Sequence, residues 1–372
     1  MVLYCREVIQ PKIRVIEIDA EGNVVSNHSP ELPYFIGTAN PGANKMLKTT
    51  SFLVYFNNIF VYNEGYEYDF VSRKWSLKEK FQLTGPAFNP NRYLIKCHEV
   101  PTESGETVPL TVIVPKKNSK VRNKMILHSY GYYGLAYDIS YNNTYLAALE
   151  EGWSLAYAHI RGGNEKGRAW HQAASKSNRR TSWADLEDCV AFLLKEEYTH
   201  PNILVLHSHS AGAITVWNAI NRNPHLYKAA VLSYPFLDVL STLLDDQHSL
   251  AQSDFVEFGN PSSSIQAYNE IESYSPYETI RETSYPFLFM VGGLNDYRCP
   301  VYQIAKFVTK FRSIAETSER FMLGEKGCVV KINEGSHEGV ANLHEELREG
   351  CEMLAALDHL IENRSSDSYL KQ

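Results

Sequence analysis

The sequence predicts an α/β protein in which a mostly parallel, doubly wound sheet follows a short all-β segment. From about residue 124, short apolar strands alternate with helical patterns, and this alternation is typical of a parallel sheet covered by helices. The first 80 residues show strand patterns and turns but no convincing amphipathic helix. We therefore expect two parts, a β-strand segment over 1–80 and an α/β domain over 81–372.

The amino-terminal strands can be followed by their alternation of apolar and polar residues. The stretches "IRVIEIDAEGNVV", "FLVYFNNIFVYNEGYEYDF" and "SRKWSLKEKF" each have this pattern. Next, "RYLIKCHEV" and "TVPLTVIVP" flank the Gly-containing stretch "PTESGE". A loop of this kind between two strand patterns predicts a β-hairpin.

Five buried strands are predicted after that hairpin, each ending in a Gly-rich or polar turn. They lie in "KMILHSYG", "SLAYAHIRGG", "NILVLHSHSAG", "AAVLSYPF" and "FLFMVGGLND", and helical patterns such as "WADLEDCVAFLLKEE" and "ITVWNAINRN" separate them. Ligands of open parallel sheets bind beyond the carboxyl ends of the strands. The polar strand ends are therefore the place to look for a site.

Composition and charge exclude several functions. The chain has 372 residues, of which 44% are hydrophobic, and this is enough for one large domain with a smaller one, or for two domains. Its net charge is -7, from 36 basic and 43 acidic residues, without a prominent basic run. Nucleic acid and anionic membranes are therefore not expected partners. No apolar run approaches the roughly 18 residues of a membrane span, and the first residues do not resemble a signal peptide.

The cysteines point to a reducing compartment. Six are scattered without CxxC spacing, which predicts free thiols and a cytoplasmic protein. His207 and His209 alternate on one strand and could be considered as metal ligands, but no Cys or carboxylate lies at a supporting spacing. We expect no metal and no cofactor, and we expect His209 to line a pocket.

Ser210 is the candidate nucleophile. It lies in "SHSAG", between the strand pattern "NILVL" and the helical pattern "AITVWNAI". A nucleophile elbow, G-x-S-x-G, needs small residues two before and two after the serine because the turn is so tight. Gly212 satisfies the second position, whereas Ser208 stands where Gly is usual. Taken alone, a polar turn serine is an equally good interpretation.

Two later residues favour the catalytic interpretation. Asp296 follows the strand "FLFMVGG" and His337 follows the strand "CVVKINEG". An α/β-hydrolase carries its nucleophile, acid and histidine in this chain order, each after a strand. An Asp in such a turn is often only a cap, and a loop His often has no special role. The order and position of all three residues make a catalytic triad the favoured hypothesis.

Many collinear motifs resemble the prolyl oligopeptidase family, in particular its oligopeptidase B and prolyl endopeptidase-like branches. They are "HSYGYYG", "GWSLAYAHIRGGNEKGRAWH", the Ser210 elbow, "YPFLDVL", "EFGNPSS", "YSPYETI", "YPFLFMVGGLNDYRCP" and "GSHEG". The resemblance runs from about residue 90 to 360. It implies a serine peptidase with an α/β-hydrolase domain.

The resemblance also implies roles for residues around the triad. The oxyanion hole would consist of the backbone N–H of Ala211 and the hydroxyl of Tyr130. Arg298 matches the arginine that holds a substrate carbonyl, and Asp254 matches one of the acidic residues that select a basic side chain in oligopeptidase B. Simpler alternatives remain open, because Tyr130 could merely pack and Arg298 could cap a helix.

The chain also departs from the family pattern. Val256 replaces a second acidic residue of the specificity site, Asn164 and Ala213 replace glycines, and the Trp that stacks on proline in prolyl peptidases is missing. Basic and proline selectivity are both expected to be weak. The first 80 residues resemble the last blade or so of the family's β-propeller, which suggests a shortened form. One blade cannot bury both its faces. We therefore expect this segment to offer a contact surface to a protein partner or to a second copy of the chain.

Three functions follow as hypotheses. The first is a serine oligopeptidase or endopeptidase that cleaves short peptides through an acyl-enzyme on Ser210. The second is an esterase or thioesterase that acts on small acyl substrates. The third is an interaction protein that has kept the fold and has little or no catalytic activity.

Overall fold

The computed structural model describes residues 1–46, 48–81, 88–118, 122–248, 250–317 and 327–362. The chain divides into two compact units. The first consists of Met1–Arg92 and Asp138–Ala147, and the second of Tyr93–Tyr137 and Ala148–Gln372. The domain boundary that the sequence suggests at residue 80 stays a prediction. The end of the predicted α/β domain, at residue 372, lies outside the described residues.

The first unit contains two antiparallel sheets. One has the order β1-β2-β3 and the other the order β4-β5-β6-β7. A four-stranded antiparallel sheet is the form of a propeller blade, and the three-stranded sheet is additional to it. The strands are β1 (Val2–Glu7), β2 (Gln10–Ile18), β3 (Val24–His28), β4 (Thr38–Pro41), β5 (Ser51–Asn58), β6 (Val61–Asp69) and β7 (Lys74–Glu79).

Alternate residues of these strands form the core of the first unit. Every second residue of β5 is buried, including Phe52, Val54 and Phe56. They belong to one apolar cluster with Ile13 and Val15 of β2. Because side chains alternate across a strand, one face of each sheet is apolar, and these two faces share a core.

The second unit contains an eight-stranded sheet in the order β15-β14-β13-β12-β10-β11-β9-β8. The pairs from β15 through β11 are parallel, whereas β11–β9 and β9–β8 are antiparallel. The strands are β8 (Tyr93–Pro101), β9 (Thr107–Pro115), β10 (Met125–Ser129), β11 (Ser154–Ala158), β12 (Leu204–His209), β13 (Ala229–Ser233), β14 (Phe287–Gly293) and β15 (Cys328–Asn333). The predicted hairpin is β8–β9.

Helices connect the parallel strands, and the last of them follows the final strand, β15. They are α1 (Asn143–Glu150), α2 (Arg168–Gln172), α3 (Arg180–Lys195), α4 (Gly212–Arg222), α5 (Val239–Leu244), α6 (Ala251–Phe258), α7 (Ile265–Tyr274), α8 (Tyr302–Thr317) and α9 (Leu343–Glu362). In α3, the buried residues Leu186, Cys189, Val190 and Leu193 recur at the spacing of one helix face. Every residue of β10, β11 and β14 is buried, so both faces of the sheet are covered. The predicted fold class is confirmed.

None of the helices in the described ranges is long and apolar enough to cross a membrane.

A buried histidine pair lies in the central part of this sheet. His128 of β10 and His207 of β12 are register partners, and their Nδ1 atoms are 3.0 Å apart. The His207 Nε2 also lies 3.3 Å from the Ser233 hydroxyl oxygen. Burial lowers the pKa of both imidazoles, that of His207 to about 3. Both rings are therefore neutral at physiological pH.

This pair predicts a loss of stability in acid. In the unfolded chain each histidine gains a proton below its ordinary pKa of about 6.5, whereas the folded chain resists protonation. Each buried histidine therefore lowers the free energy of unfolding by about 1.4 kcal/mol per pH unit between roughly pH 6 and the pKa of its folded state. Urea unfolding from pH 7 to pH 4 measures this slope.

Two variants isolate the contribution of the pair. His207→Gln is expected to reduce the slope of stability against pH, since it removes one of the two groups. His225→Gln, at an exposed position, is expected to leave the slope unchanged. Equal slopes in the wild type and in His207→Gln would show that other groups cause the acid sensitivity.

Candidate active site

Ser210 lies on a sharp turn between β12 and α4. Its φ angle is 53°, in the left-handed region that a residue with a side chain rarely adopts. Two backbone hydrogen bonds hold this turn. The Ser210 N–H donates to the Ser233 carbonyl, and the Phe236 N–H donates to the Ser210 carbonyl, each at 3.0 Å. A strained serine at a strand-to-helix turn is the geometry of a nucleophile elbow.

The Ser208 side chain fills the space that a side chain at position 212 would need. A Cβ added to Gly212 would collide with the Ser208 Oγ and would come within 3.0 Å of the Tyr130 ring. Ser208 is fully buried, and its hydroxyl donates to the Ser129 carbonyl at 2.6 Å. A serine can therefore replace the usual glycine at this position, because its oxygen is hydrogen bonded to the neighbouring strand.

His337 and Asp296 complete a hydrogen-bonded chain with Ser210. The His337 Nε2 lies 2.8 Å from the Ser210 Oγ, and its Nδ1 lies 2.9 Å from the Asp296 Oδ2. All three residues are buried. The turns after β14 and β15 bring them together, since parallel strands end at the same edge of a sheet.

Backbone donors fix the carboxyl group of Asp296. Its Oδ1 accepts hydrogen bonds from the N–H groups of Arg298 and Cys299, both at 2.9 Å. The Oδ2 is then directed to His337. This is the arrangement that orients an imidazole and stabilises its charged form.

Tyr130 and Ala211 lie beside Ser210. Tyr130 directly follows β10, and burial raises the pKa of its hydroxyl well above the ordinary value. The hydroxyl therefore remains protonated, as a donor, and it interacts with Ser210. Ala211 precedes the first residue of α4, and the first N–H groups of a helix have no acceptor within that helix.

A cavity of about 460 Å³ opens onto these residues. Its wall includes Phe236, Leu250 and Asp254. Burial raises the pKa of Asp254 to about 6, although the nearby Tyr133 hydroxyl favours the charged carboxylate. Val256, which stands where the family has a second acidic residue, is 72% exposed.

His209 lines this cavity, but one of its nitrogens is already engaged. The Nε2 donates to the His337 carbonyl at 2.9 Å, and the two rings lie edge to face at 4.9 Å. Burial, and then the neighbouring His337, lower the pKa of His209, so its imidazole is neutral. This position allows His209 to support the loop that carries His337. Its role in substrate binding stays a prediction.

Arg298 also lines the cavity and is half exposed. Its Nη1 forms an ion pair with the Glu338 Oε1 at 3.3 Å. A substrate carbonyl would have to share or replace this partner. Within the described residues, the Arg298 side chain contacts Glu338 and the Tyr297 ring, and neither contact caps a helix.

The sequence does not single out several residues of the cavity wall, and Cys299 and Tyr133 are two of them. Cys299 is a buried thiol whose pKa is raised by burial, and it interacts with Ser210. Tyr133 has a φ angle of 58°, and its N–H donates to the Glu257 Oε1 at 3.0 Å. Their closeness in sequence to Asp296 and Tyr130 was the one available signal. Among the described residues, no group of three His, Cys, Asp or Glu side chains could hold a metal ion.

Comparisons with known proteins agree with this geometry. A family model described as the prolyl oligopeptidase family matches residues 138–336. The human protein "Prolyl endopeptidase-like" is 31% identical over 253 residues, which are 67% of this chain and 35% of that protein. "Dipeptidyl aminopeptidase BI" of Pseudoxanthomonas mexicana is 28% identical over 353 residues, which are 94% of this chain and 47% of that protein.

The fold is also similar to solved structures. Oligopeptidase B from Leishmania major superposes with a TM-score of 0.87 at 24% identity, covering 97% of this chain and 50% of that one. This chain thus spans half or less of the length of these relatives. The matched family model covers more than half of the chain, including Ser210 and Asp296 and ending one residue before His337. The chain therefore belongs to the prolyl oligopeptidase family.

Proposed function

We propose that the chain is a serine hydrolase that cleaves peptide bonds of short peptides through an acyl-enzyme on Ser210. The observation that carries this proposal is the hydrogen-bonded chain from Ser210 through His337 to Asp296. Membership of the prolyl oligopeptidase family supports it. The relatives named as an aminopeptidase and an oligopeptidase support peptides as the substrate class.

The proposed mechanism follows from the positions of these atoms. The Ser210 Oγ attacks the substrate carbonyl while the His337 Nε2 accepts its proton. His337 then gives this proton to the leaving amine, and an acyl-enzyme remains on Ser210. Water, activated by the same nitrogen, releases the acid. Asp296 keeps the proton of the imidazole on Nδ1 and stabilises the cation.

The Tyr130 hydroxyl and the Ala211 N–H would stabilise the negative oxygen that forms during attack. Tyr130→Phe is therefore expected to lower kcat about 10²- to 10³-fold with little change in KM, because the lost hydrogen bond forms with the transition state. The measurement is steady-state kinetics on a fluorogenic peptide. Tyr132→Phe is the matched control, since the Tyr132 hydroxyl is buried without a partner among the described residues. Equal losses in both variants would count against the role of Tyr130.

Asp254 is the proposed determinant of substrate choice. A substrate with Arg or Lys would pair with its carboxylate in the cavity, whereas the wall around it is mainly apolar and aromatic. Asp254→Asn is expected to lower kcat/KM for an arginine peptide about tenfold or more, as one charged hydrogen bond is lost, and to leave a nitrophenyl ester unaffected.

The pH dependence provides a second measure of this pairing. The pKa of Asp254 is about 6 in the absence of substrate. The preference of the wild type for the arginine peptide over the ester should therefore fall as the pH drops through about 6, because the carboxylate becomes neutral. A preference that is constant from pH 5 to 8 would exclude Asp254 as its source.

The cavity also favours a second candidate, an esterase or thioesterase. The Asp254 carboxylate is half-buried and resists ionisation, and Phe236 and Leu250 offer apolar contacts to an acyl chain. A comparison of kcat/KM for a fluorogenic peptide, a short nitrophenyl ester and an acyl thioester distinguishes the peptidase from the esterase or thioesterase. Preference for the peptide supports the first candidate. A folded chain that neither turns over any of them nor reacts with a fluorophosphonate would contradict both and favour an interaction protein.

We also propose a cytoplasmic location, because all six cysteines are free in the structure, as is usual for proteins of a reducing compartment. The first unit remains a candidate for contact with a protein partner or a second copy of the chain. Mass photometry of the purified chain tests self-association.

A further inference from the structure

A second cavity of about 300 Å³ lies in the α/β unit and shares no lining residue with the catalytic one. It is formed at the amino-terminal end of α3, beside residues of α4 and α7. One carboxylate, that of Glu270, and five cationic side chains line it. These cations are Lys176, Arg179, Arg180, Arg222 and Arg281.

Among the residues that the structure describes, two of these cations have a carboxylate partner. Arg222 pairs with Glu187, and Arg179 pairs with Glu257. Within the described residues, the other three form no ion pair. The cavity therefore has an excess of positive charge even when Glu270 is counted. A site of this kind attracts anions.

Two residues that line the same cavity carry a buried donor without an acceptor. The Arg179 Nε and the Tyr274 hydroxyl have no hydrogen-bond partner among the described residues. Arg179 is 1% exposed and Tyr274 is 4% exposed. The other end of Arg179 is occupied, because its Nη1 donates to the Gly131 carbonyl and its Nη2 to Glu257. Buried donors without a partner are rare because they are costly, and here both belong to residues that line a cavity with room for an acceptor.

The helix next to the cavity adds to its positive electrostatic potential. Arg179 precedes the first residue of α3, which has 16 residues, and no side chain caps the helix there. The amino-terminal end of a helix carries partial positive charge and free N–H groups, both of which favour an anion.

We propose that this cavity binds a small phosphate-bearing anion. Phosphate oxygens match the fork of an arginine and accept several hydrogen bonds at once, from Arg179, Tyr274 and the arginines at the rim. Trp183 lines the same cavity and offers an aromatic surface to an organic group attached to the phosphate. The proposal is independent of the chemistry at Ser210.

Isothermal titration calorimetry of the full chain tests this proposal, with inorganic phosphate, pyrophosphate and adenosine monophosphate at constant ionic strength. Lys176→Ala/Arg281→Ala removes two exposed cations of the rim and is expected to weaken binding about tenfold or more. Lys116→Ala/Lys117→Ala removes the same charge elsewhere on the surface and should bind like the wild type. Preference for pyrophosphate or adenosine monophosphate over inorganic phosphate would identify an organic or condensed phosphate as the ligand.

Tyr274→Phe provides a second, separate signature. It removes a buried hydroxyl without a partner, so the ligand-free variant should melt at a higher temperature than the wild type and bind the anion several-fold more weakly. Circular dichroism verifies that each variant is folded. The absence of saturable binding of all three anions to the wild type, or binding that either cavity variant leaves unchanged, would overturn the proposal.

Discussion

Ser210→Ala is expected to abolish hydrolysis, lowering kcat by about 10⁶-fold, to what binding and the oxyanion hole supply alone. The reason is that Ser210 presents its oxygen to the His337 Nε2, at 2.8 Å, on a turn that exposes it to the cavity. The substitution should leave the fold intact, since the hydroxyl has a role in the reaction rather than in packing. Peptide hydrolysis and labelling with a fluorophosphonate measure the loss.

The matched control is Ser208→Ala, two residues earlier on the same strand. It removes the hydrogen bond to the Ser129 carbonyl and is expected to lower the free energy of unfolding by about 1 kcal/mol. Its kcat should remain within a few-fold of the wild type. Labelling that persists in Ser210→Ala would mean that another residue reacts with the probe, and the proposed function would fail.

Asp296→Asn is expected to lower kcat by about 10⁴-fold. Asparagine is nearly isosteric, and its oxygen can still accept from the N–H groups of Arg298 and Cys299. Its amide nitrogen would then face the His337 Nδ1, which could no longer donate. The imidazole would carry its proton on Nε2, towards Ser210, and could not accept another from the nucleophile. Steady-state kinetics and the rate of fluorophosphonate labelling should fall together.

Asp254→Asn serves as the control, because it is the same chemical change on another wall of the cavity. It should alter the choice between arginine peptide and ester, while the rate on the ester stays near that of the wild type. A loss of ester hydrolysis in Asp254→Asn equal to that in Asp296→Asn would show that charge in the cavity, rather than the tautomer of His337, controls the rate.

The parallel sheet could be predicted because its signals are local. Each strand from β10 to β14 is a short apolar run that ends at a polar or glycine-containing turn, and α3 and α4 have the expected spacing of apolar residues. The same logic predicted that Ser210, Asp296 and His337 would meet, since the carboxyl ends of parallel strands share one edge.

Features that depend on long-range pairing could not be predicted. The extra three-stranded sheet of the first unit, and the inclusion of residues 138–147 in that unit, follow from contacts that no local pattern records. The contact of His128 with His207 depends on the register between β10 and β12, which lie 79 residues apart in the chain. The hydrogen bond between the His209 Nε2 and the His337 carbonyl could not be predicted either, because it also joins residues far apart in the chain.

The shared space of Ser208 and Gly212 has a consequence for how such an elbow can evolve. A side chain is tolerated at one of the two positions only while the other stays small, because the Ser208 oxygen lies where a Gly212 Cβ would be. The two substitutions are thus mutually exclusive steps on a mutational path. A lineage that carries serine at 208 can accept alanine at 212 only after the Ser208 oxygen is lost, by a change to alanine or glycine, and the Tyr130 ring must then also make room.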